Sequence, residues 1–198
     1  SNRNLFILGM VLQVIGCYMI AEMCVSGLYW GLAMFLTGSG LNVTCLNMML
    51  TQLFAPDDDR REGAFLWNYA GMNLGFFAGF AVAGYFQLSE NYRALFLFAT
   101  IGNAVAILVT LSRWQILADI NTPLKQASRK SFYLRMLAGL VVLVALVPII
   151  RVLLTHADFS SYFVVVLGIL IFIMLCIMTL RHREADERRR MVAYLILA

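Results

Sequence analysis

The chain has 198 residues, of which 62% are hydrophobic and only 13% charged, with a net charge of +4. Soluble domains run at about half apolar and about a quarter charged, so an ordinary soluble enzyme, a disordered tail and a disulfide scaffold are all excluded. A helix needs about 20 consecutive apolar residues to cross the hydrocarbon layer, and this chain supplies several such runs.

Taken in order, six stretches are predicted to span: 5–24, 27–54, 63–86, 94–111, 132–155 and 162–180. A polar connector, 112–131, separates the fourth from the fifth. The charge run RHREADERRR fills 181–190, and the closing MVAYLILA reads as the first turns of a further span. The runs are continuous, unlike the alternating segments of a membrane barrel. Within lipid each segment must satisfy its own backbone, which leaves helices. The expected fold class is all-α, a polytopic helical membrane protein. The expected organisation is four spans over 1–112, a cytoplasmic connector over 113–131, two very apolar helices over 132–180, and a basic cytoplasmic segment with the start of the next span over 181–198. The first span carries no cleavage site after it and is not a signal peptide. The chain reads as a piece of a longer protein.

Alternating crossings place 13 of the 15 Lys and Arg residues on one side, leaving Arg93 and Arg151 on the other. Retained basic residues mark the cytoplasmic face. The N-terminus of this chain and 112–135 are therefore expected inside, in a bacterial inner membrane, with Arg151 snorkelling to the outer headgroups. The positive balance is thus explained by topology, and no nucleic acid is expected as a partner. Cys17, Cys24, Cys45 and Cys176 lie in apolar segments without a C-x-x-C spacing or a His cluster, and are read as small buried hydrophobes. No metal and no cofactor are expected. No nucleotide, zinc-protease or dinucleotide motif occurs, so the chain is not read as an enzyme.

The informative residues are polar ones inside apolar runs, because such groups are costly in lipid and mark pathways or packing bonds. Glu22, near the outer end of the first span, is either a proton or cation site or an interfacial carboxylate. In the second span Thr44, Asn47 and Thr51 share a helix face, which forms either a cavity wall or an interhelical bonding stripe. Gly38, Ser39 and Gly40 either loosen that helix or permit a close crossing. In the loop at 55–62, Pro56 and three Asp read as a helix start, and Arg60 and Arg61 are placed to pair with neighbouring helix ends. The third span carries Tyr69, Asn68 and Asn73, with Gly71, Gly75 and Gly79 spaced as a close-packing stripe.

The string DDDRREGAFLWNYAGMNLGFF at 57–77 resembles the loop and following helix of the proton-dependent oligopeptide transporters, a branch of the major facilitator superfamily. Asp59, Arg60, Arg61, Glu62, Phe65, Tyr69, Asn73 and Gly75 carry the resemblance, while Asn68, Met72 and Phe76 depart from it. GLAMFLTGSGLN resembles the preceding helix of that family, and SNRNLFILGM the end of the superfamily's cytoplasmic signature. The resemblance implies that the six spans are helices three to six of the first half, then two inserted helices, with the seventh beginning at 191. It implies a secondary active transporter that takes up small peptides or peptide-like solutes with protons by alternating access, and that is a monomer when complete. Substrate contacts would fall to Asn73, Tyr69, Asn47 and Thr44, cytoplasmic gating ion pairs to Asp59, Arg60 and Arg61, and a proton site to Glu22. Val43 stands where the family has a lysine linked to proton coupling and to the peptide carboxylate. That substitution keeps a second reading open, a related facilitator for a siderophore or other amphiphilic solute, and a third is a non-transporting membrane scaffold. The partners implied are a solute, protons and the lipid bilayer.

Overall fold

The computed structural model describes residues 2–55, 57–117 and 129–181. Every regular element among them is an α-helix: α1 (Asn2–Ala21), α2 (Val25–Leu53), α3 (Arg60–Leu88), α4 (Tyr92–Ser112), α5 (Arg129–Thr155) and α6 (Ala157–Arg181). Most of the expected connector, Pro56, the 182–190 part of the basic run and the closing MVAYLILA lie outside the described residues. The all-α membrane architecture is as the hydropathy requires. Pro148 sits inside α5 and the helix runs through it.

Five of these helices are long and apolar enough to cross a membrane; α3 falls short. Of the six expected spans, α3 is the one whose composition does not by itself reach that mark. At 29 residues α3 has ample length, about 43 Å, but Asn68, Asn73 and its run of glycines dilute its hydropathy. Helix ends also shift from the hydropathy limits. The first helix stops at Ala21, so Glu22 lies in a turn rather than within a span.

The two turns on that side are built alike. Met23 and Glu90 take left-handed φ values of 57° and 53°, and each is followed by a capping residue. Cys24 Sγ accepts from Gly27 N–H at 3.2 Å, starting α2. Asn91 Oδ1 accepts from Ala94 N–H at 3.1 Å, starting α4. The left-handed residue reverses the chain, and the cap satisfies one of the free N–H groups of the next helix.

The chain forms two compact units, Ser1–Val152 and Leu153–Ala198. In the first, α1 is central, packed antiparallel against α2 and α4. The α1–α2 seam rests on glycine. A Cβ on Gly16 would stand 2.6 Å from Gly31 O, one on Gly31 2.6 Å from Gly16 O, and one on Gly9 2.9 Å from Gly38 O. Backbones touch here, with Ile20, Cys45 and Met49 buried alongside. Arg3 ties α1 to the end of α4: its guanidinium lies 4.3 Å over the Trp114 ring and Nη1 donates to Trp114 O at 2.9 Å. In the second unit α6 is apolar from Tyr162 to Met178, and Phe159 stacks on Phe163 with ring centroids 6.4 Å apart.

Candidate functional site

The seam with α1 decides which residues of α2 are available. Gly38, Cys45 and Met49 are buried, whereas Val43, Thr44, Asn47, Met48 and Thr51 are exposed on the opposite side. Thr44 Oγ donates to Gly40 O at 2.9 Å and Thr51 Oγ to Asn47 O at 2.8 Å. Each hydroxyl proton is thus satisfied within the helix while its oxygen stays open as an acceptor. Asn47 keeps its side-chain amide exposed. Neither α2 nor the part of α3 beyond Glu62 contains an Asp, Glu, Lys or Arg, so this surface is polar but uncharged.

On α3, Tyr69 and Asn73 share a face, and Asn73 Nδ2 donates to Tyr69 O at 2.9 Å. Both are exposed, Tyr69 at 64%. No residue of α3 is buried in this structure. It meets α4 near the turn, where Phe86 lies 6.4 Å from Phe98 between centroids, and it touches α2 only sparsely. The two candidate pairs, Thr44 with Asn47 and Tyr69 with Asn73, therefore occupy separate helices, and no direct bond joins them among the described residues. The stripe of Gly71, Gly75 and Gly79 likewise has nothing within 4 Å of an added Cβ. The close crossing lies instead at Gly9, Gly16, Gly31 and Gly38. Of the two readings of the Gly38–Gly40 segment, Gly38 takes the close crossing and Gly40 faces open space.

At the turn before α3 the ion pair is local. Asp58 Oδ1 accepts from Arg60 N–H at 2.9 Å and from Nε at 3.0 Å, and Oδ2 accepts from Nη2 at 2.9 Å. Asp58 is thus the residue that both caps α3 and pairs with Arg60, while Asp59 at the cap position makes no side-chain cap bond. The Arg60 guanidinium holds the Asp58 carboxyl below its ordinary pKa, chiefly through the side-chain hydrogen bond. Arg61 and Asp59 line a shallow hollow of about 540 Å³ with Asp57, Asp58, Glu62 and Phe65. That hollow belongs to the turn and contains none of the four mid-helix candidates.

Glu22 is exposed, one helical turn beyond Tyr18. None of the four cysteines is in a disulfide: Cys17 and Cys45 are buried as expected, whereas Cys24 is exposed and serves as a cap. Among the described residues no His, Cys, Asp and Glu group is placed to hold a metal. Sequence patterns missed three contacts. Asn42 Nδ2 donates to Gln13 Oε1 across the α1–α2 seam at 2.6 Å. Arg3 stacks on Trp114, as above. Arg151 lies 4.7 Å over the Trp30 ring. The usable signal was that Gln13 is the one amide in the interior of an otherwise apolar α1.

A family model described as PTR2, the POT family, matches residues 3–198. The chain belongs to the POT family. Its similarity to dipeptide and tripeptide permease A of Proteus mirabilis (strain HI4320) is 24% identity over 203 residues, covering all of this chain and 40% of that protein. Similarity to a di-/tripeptide transporter of Lactococcus lactis subsp. lactis (strain IL1403) is 24% over 211 residues, covering all of this chain and 41% of the relative. Crystal structures of the peptide transporter POT share the fold. One, a single-site mutant, has a TM-score of 0.64 at 24% identity; another, in complex with sulfate, has 0.63 at 26%. Each alignment covers 98% of this chain and 42% of the solved one. This POT chain is thus a multi-pass helical membrane protein with part of a major facilitator fold, spanning about 40% of the length of the relatives it matches.

Proposed function

We propose that the complete protein is a secondary active transporter that takes up di- and tripeptides or peptide-like solutes with protons by alternating access. The supporting observation is the uncharged polar surface on α2 and α3, in a POT-family chain similar along its whole length to proteins named as dipeptide and tripeptide transporters. Hydroxyls and amides that are exposed within long apolar helices are unfavourable against acyl chains, and they match the amide groups of a peptide. Thr44 and Asn47 on α2 and Tyr69 and Asn73 on α3 are assigned to cargo, Asp59, Arg60 and Arg61 to the cytoplasmic end, and Glu22 to proton exchange at the opposite end. Residues 1–112 would contribute four helices of one half, 113–131 the connector and 132–180 an inserted helix pair, with the two halves rocking about a midplane site. The protein would work as a monomer in a bacterial inner membrane. The siderophore-facilitator and scaffold readings gain no support from the relatives. The test is uptake of labelled alanyl-alanine into proteoliposomes bearing an inward proton gradient. Uptake abolished by a protonophore is expected, and gradient-independent or absent uptake by the intact protein would overturn the proposal.

A further inference from the structure

The contacts that join α1 to α2 differ in what they fix. The glycine pairs let the backbones touch, but small residues give close approach without a directional bond. The turn at 22–24 pins only the outer ends. Gln13 lies well away from it, about 13 Å along the helix. There Asn42 Nδ2 donates to Gln13 Oε1 at 2.6 Å, on a seam otherwise built from glycine and apolar side chains. The Asn42 amide oxygen is buried against Gly9 and accepts no hydrogen bond among the described residues. A buried acceptor left unpaired is unfavourable, so Asn42 is held in the seam by its single bond to Gln13 and not by a satisfied amide. At about 100° per residue, Asn42 and Asn47 point about 140° apart and Asn42 and Thr51 about 180° apart. Holding Asn42 on α1 therefore turns the Thr44, Asn47 and Thr51 side outward.

We propose that the Gln13–Asn42 bond is the rotational key of this helix pair: it makes α1 and α2 move as one body and keeps the polar side of α2 facing the solute path. Both are positioning residues, acting through α2. A lone polar pair in an apolar helix seam is suited to this task, because it is satisfied in one arrangement and broken in the others. The inference rests on the assignment of Thr44 and Asn47 to cargo.

The test uses the complete protein with Cys17, Cys24, Cys45 and Cys176 replaced by Ala and with Asn47→Cys as a reporter, in proteoliposomes, reacted with a membrane-impermeant maleimide. Adding Gln13→Leu or Asn42→Leu is expected to slow labelling about fivefold, the size of one interhelical side-chain hydrogen bond in lipid. The exchange Gln13→Asn with Asn42→Gln, which conserves both amides and their summed length, restores it. Unchanged labelling in the Leu variants, or an exchange protein present in the membrane but labelling as slowly as they do, overturns the proposal. Alanyl-alanine uptake is followed in parallel. If the protein that keeps Asn47 and its native cysteines takes up none while the labelling pattern holds, the cargo assignment fails and the rotational key stands.

Discussion

Polar side chains within these spans satisfy themselves first from their own helix. Thr37, Thr44, Thr51, Thr100 and Thr110 each donate to the carbonyl four residues back, and Asn73 and Asn103 do so through their amides. Such a bond consumes a donor and leaves an acceptor open. This is why the sequence revealed where polarity lies but not what each group does: Asn42 bonds across a seam, Asn73 to its own helix, and their residue type is the same. With one amide N–H committed to Tyr69 O, Asn73 keeps Oδ1 open, and under the proposed assignment that oxygen would accept from a peptide N–H. Asn73→Ala is expected to raise the KM for alanyl-alanine about fivefold, the worth of one hydrogen bond, at an unchanged amount of inserted protein. An unaltered KM removes Asn73 from the site. Asp58 makes a second prediction at this scale. Its depressed pKa adds stability to the turn above the unfolded value, and that contribution is lost as pH falls through the folded value. The turn therefore loosens only below about pH 4 and is indifferent near neutrality. In a carbon-13 carboxyl titration Asp58 should titrate below an ordinary aspartate, and Arg60→Gln should return it upward. Because the Arg60 side chain is 81% exposed, high salt should produce much of the same return.

Helix existence followed directly from hydropathy because lipid leaves the backbone one solution, and the limits erred only where turns intervene. The choice of packing faces did not follow. Gly71, Gly75 and Gly79 carry the familiar four-residue spacing, yet this chain places nothing on them. Gly9 and Gly16 repeat every seven residues, as do Gly31 and Gly38, and the match becomes visible only when two antiparallel helices are laid together. A sequence read one helix at a time cannot pair them. The consequence is testable on the α1–α2 seam. Gly16→Ala sets a methyl 2.6 Å from a backbone carbonyl and 2.9 Å from Phe35 N, neither of which can move without shifting a helix. Overpacking of this kind costs about 1–3 kcal/mol, so the thermal midpoint in detergent, followed by circular dichroism, should fall. Gly40, in the same helix, has nothing within 4 Å in this chain. Gly40→Ala is expected to leave the midpoint level or to raise it, since Ala is the better helix former by about 1 kcal/mol. Equal losses at both positions would mean that the seam is not the tight contact.

At the scale of the whole molecule, the charge asymmetry and the helix order make one joint statement about sidedness. The turn containing Asp57 and the end of α4 lie on the side of Arg3, which grips Trp114 there. The turns containing Glu22 and Glu90 lie on the other, where Arg151 rests on Trp30. Each end of the bundle thus carries an arginine on an indole, so local contacts alone do not say which end faces the cytoplasm. The distribution of the remaining basic residues is what supports the proposed cytoplasmic assignment, because translocation of Lys and Arg is disfavoured during insertion. Since α3 is the least apolar of the helices, it is also the span on which this alternation depends most. Single-cysteine proteins carrying Asp57→Cys or Glu90→Cys, with Cys17, Cys24, Cys45 and Cys176 replaced by Ala, separate the possibilities in intact cells. An impermeant maleimide should label the Glu90 position from outside and reach the Asp57 position only after permeabilisation. Labelling of both from outside would mean that α3 fails to cross, and a reversed pattern would invert the cytoplasmic assignment of Arg60 and Arg61 along with the proposed direction of uptake.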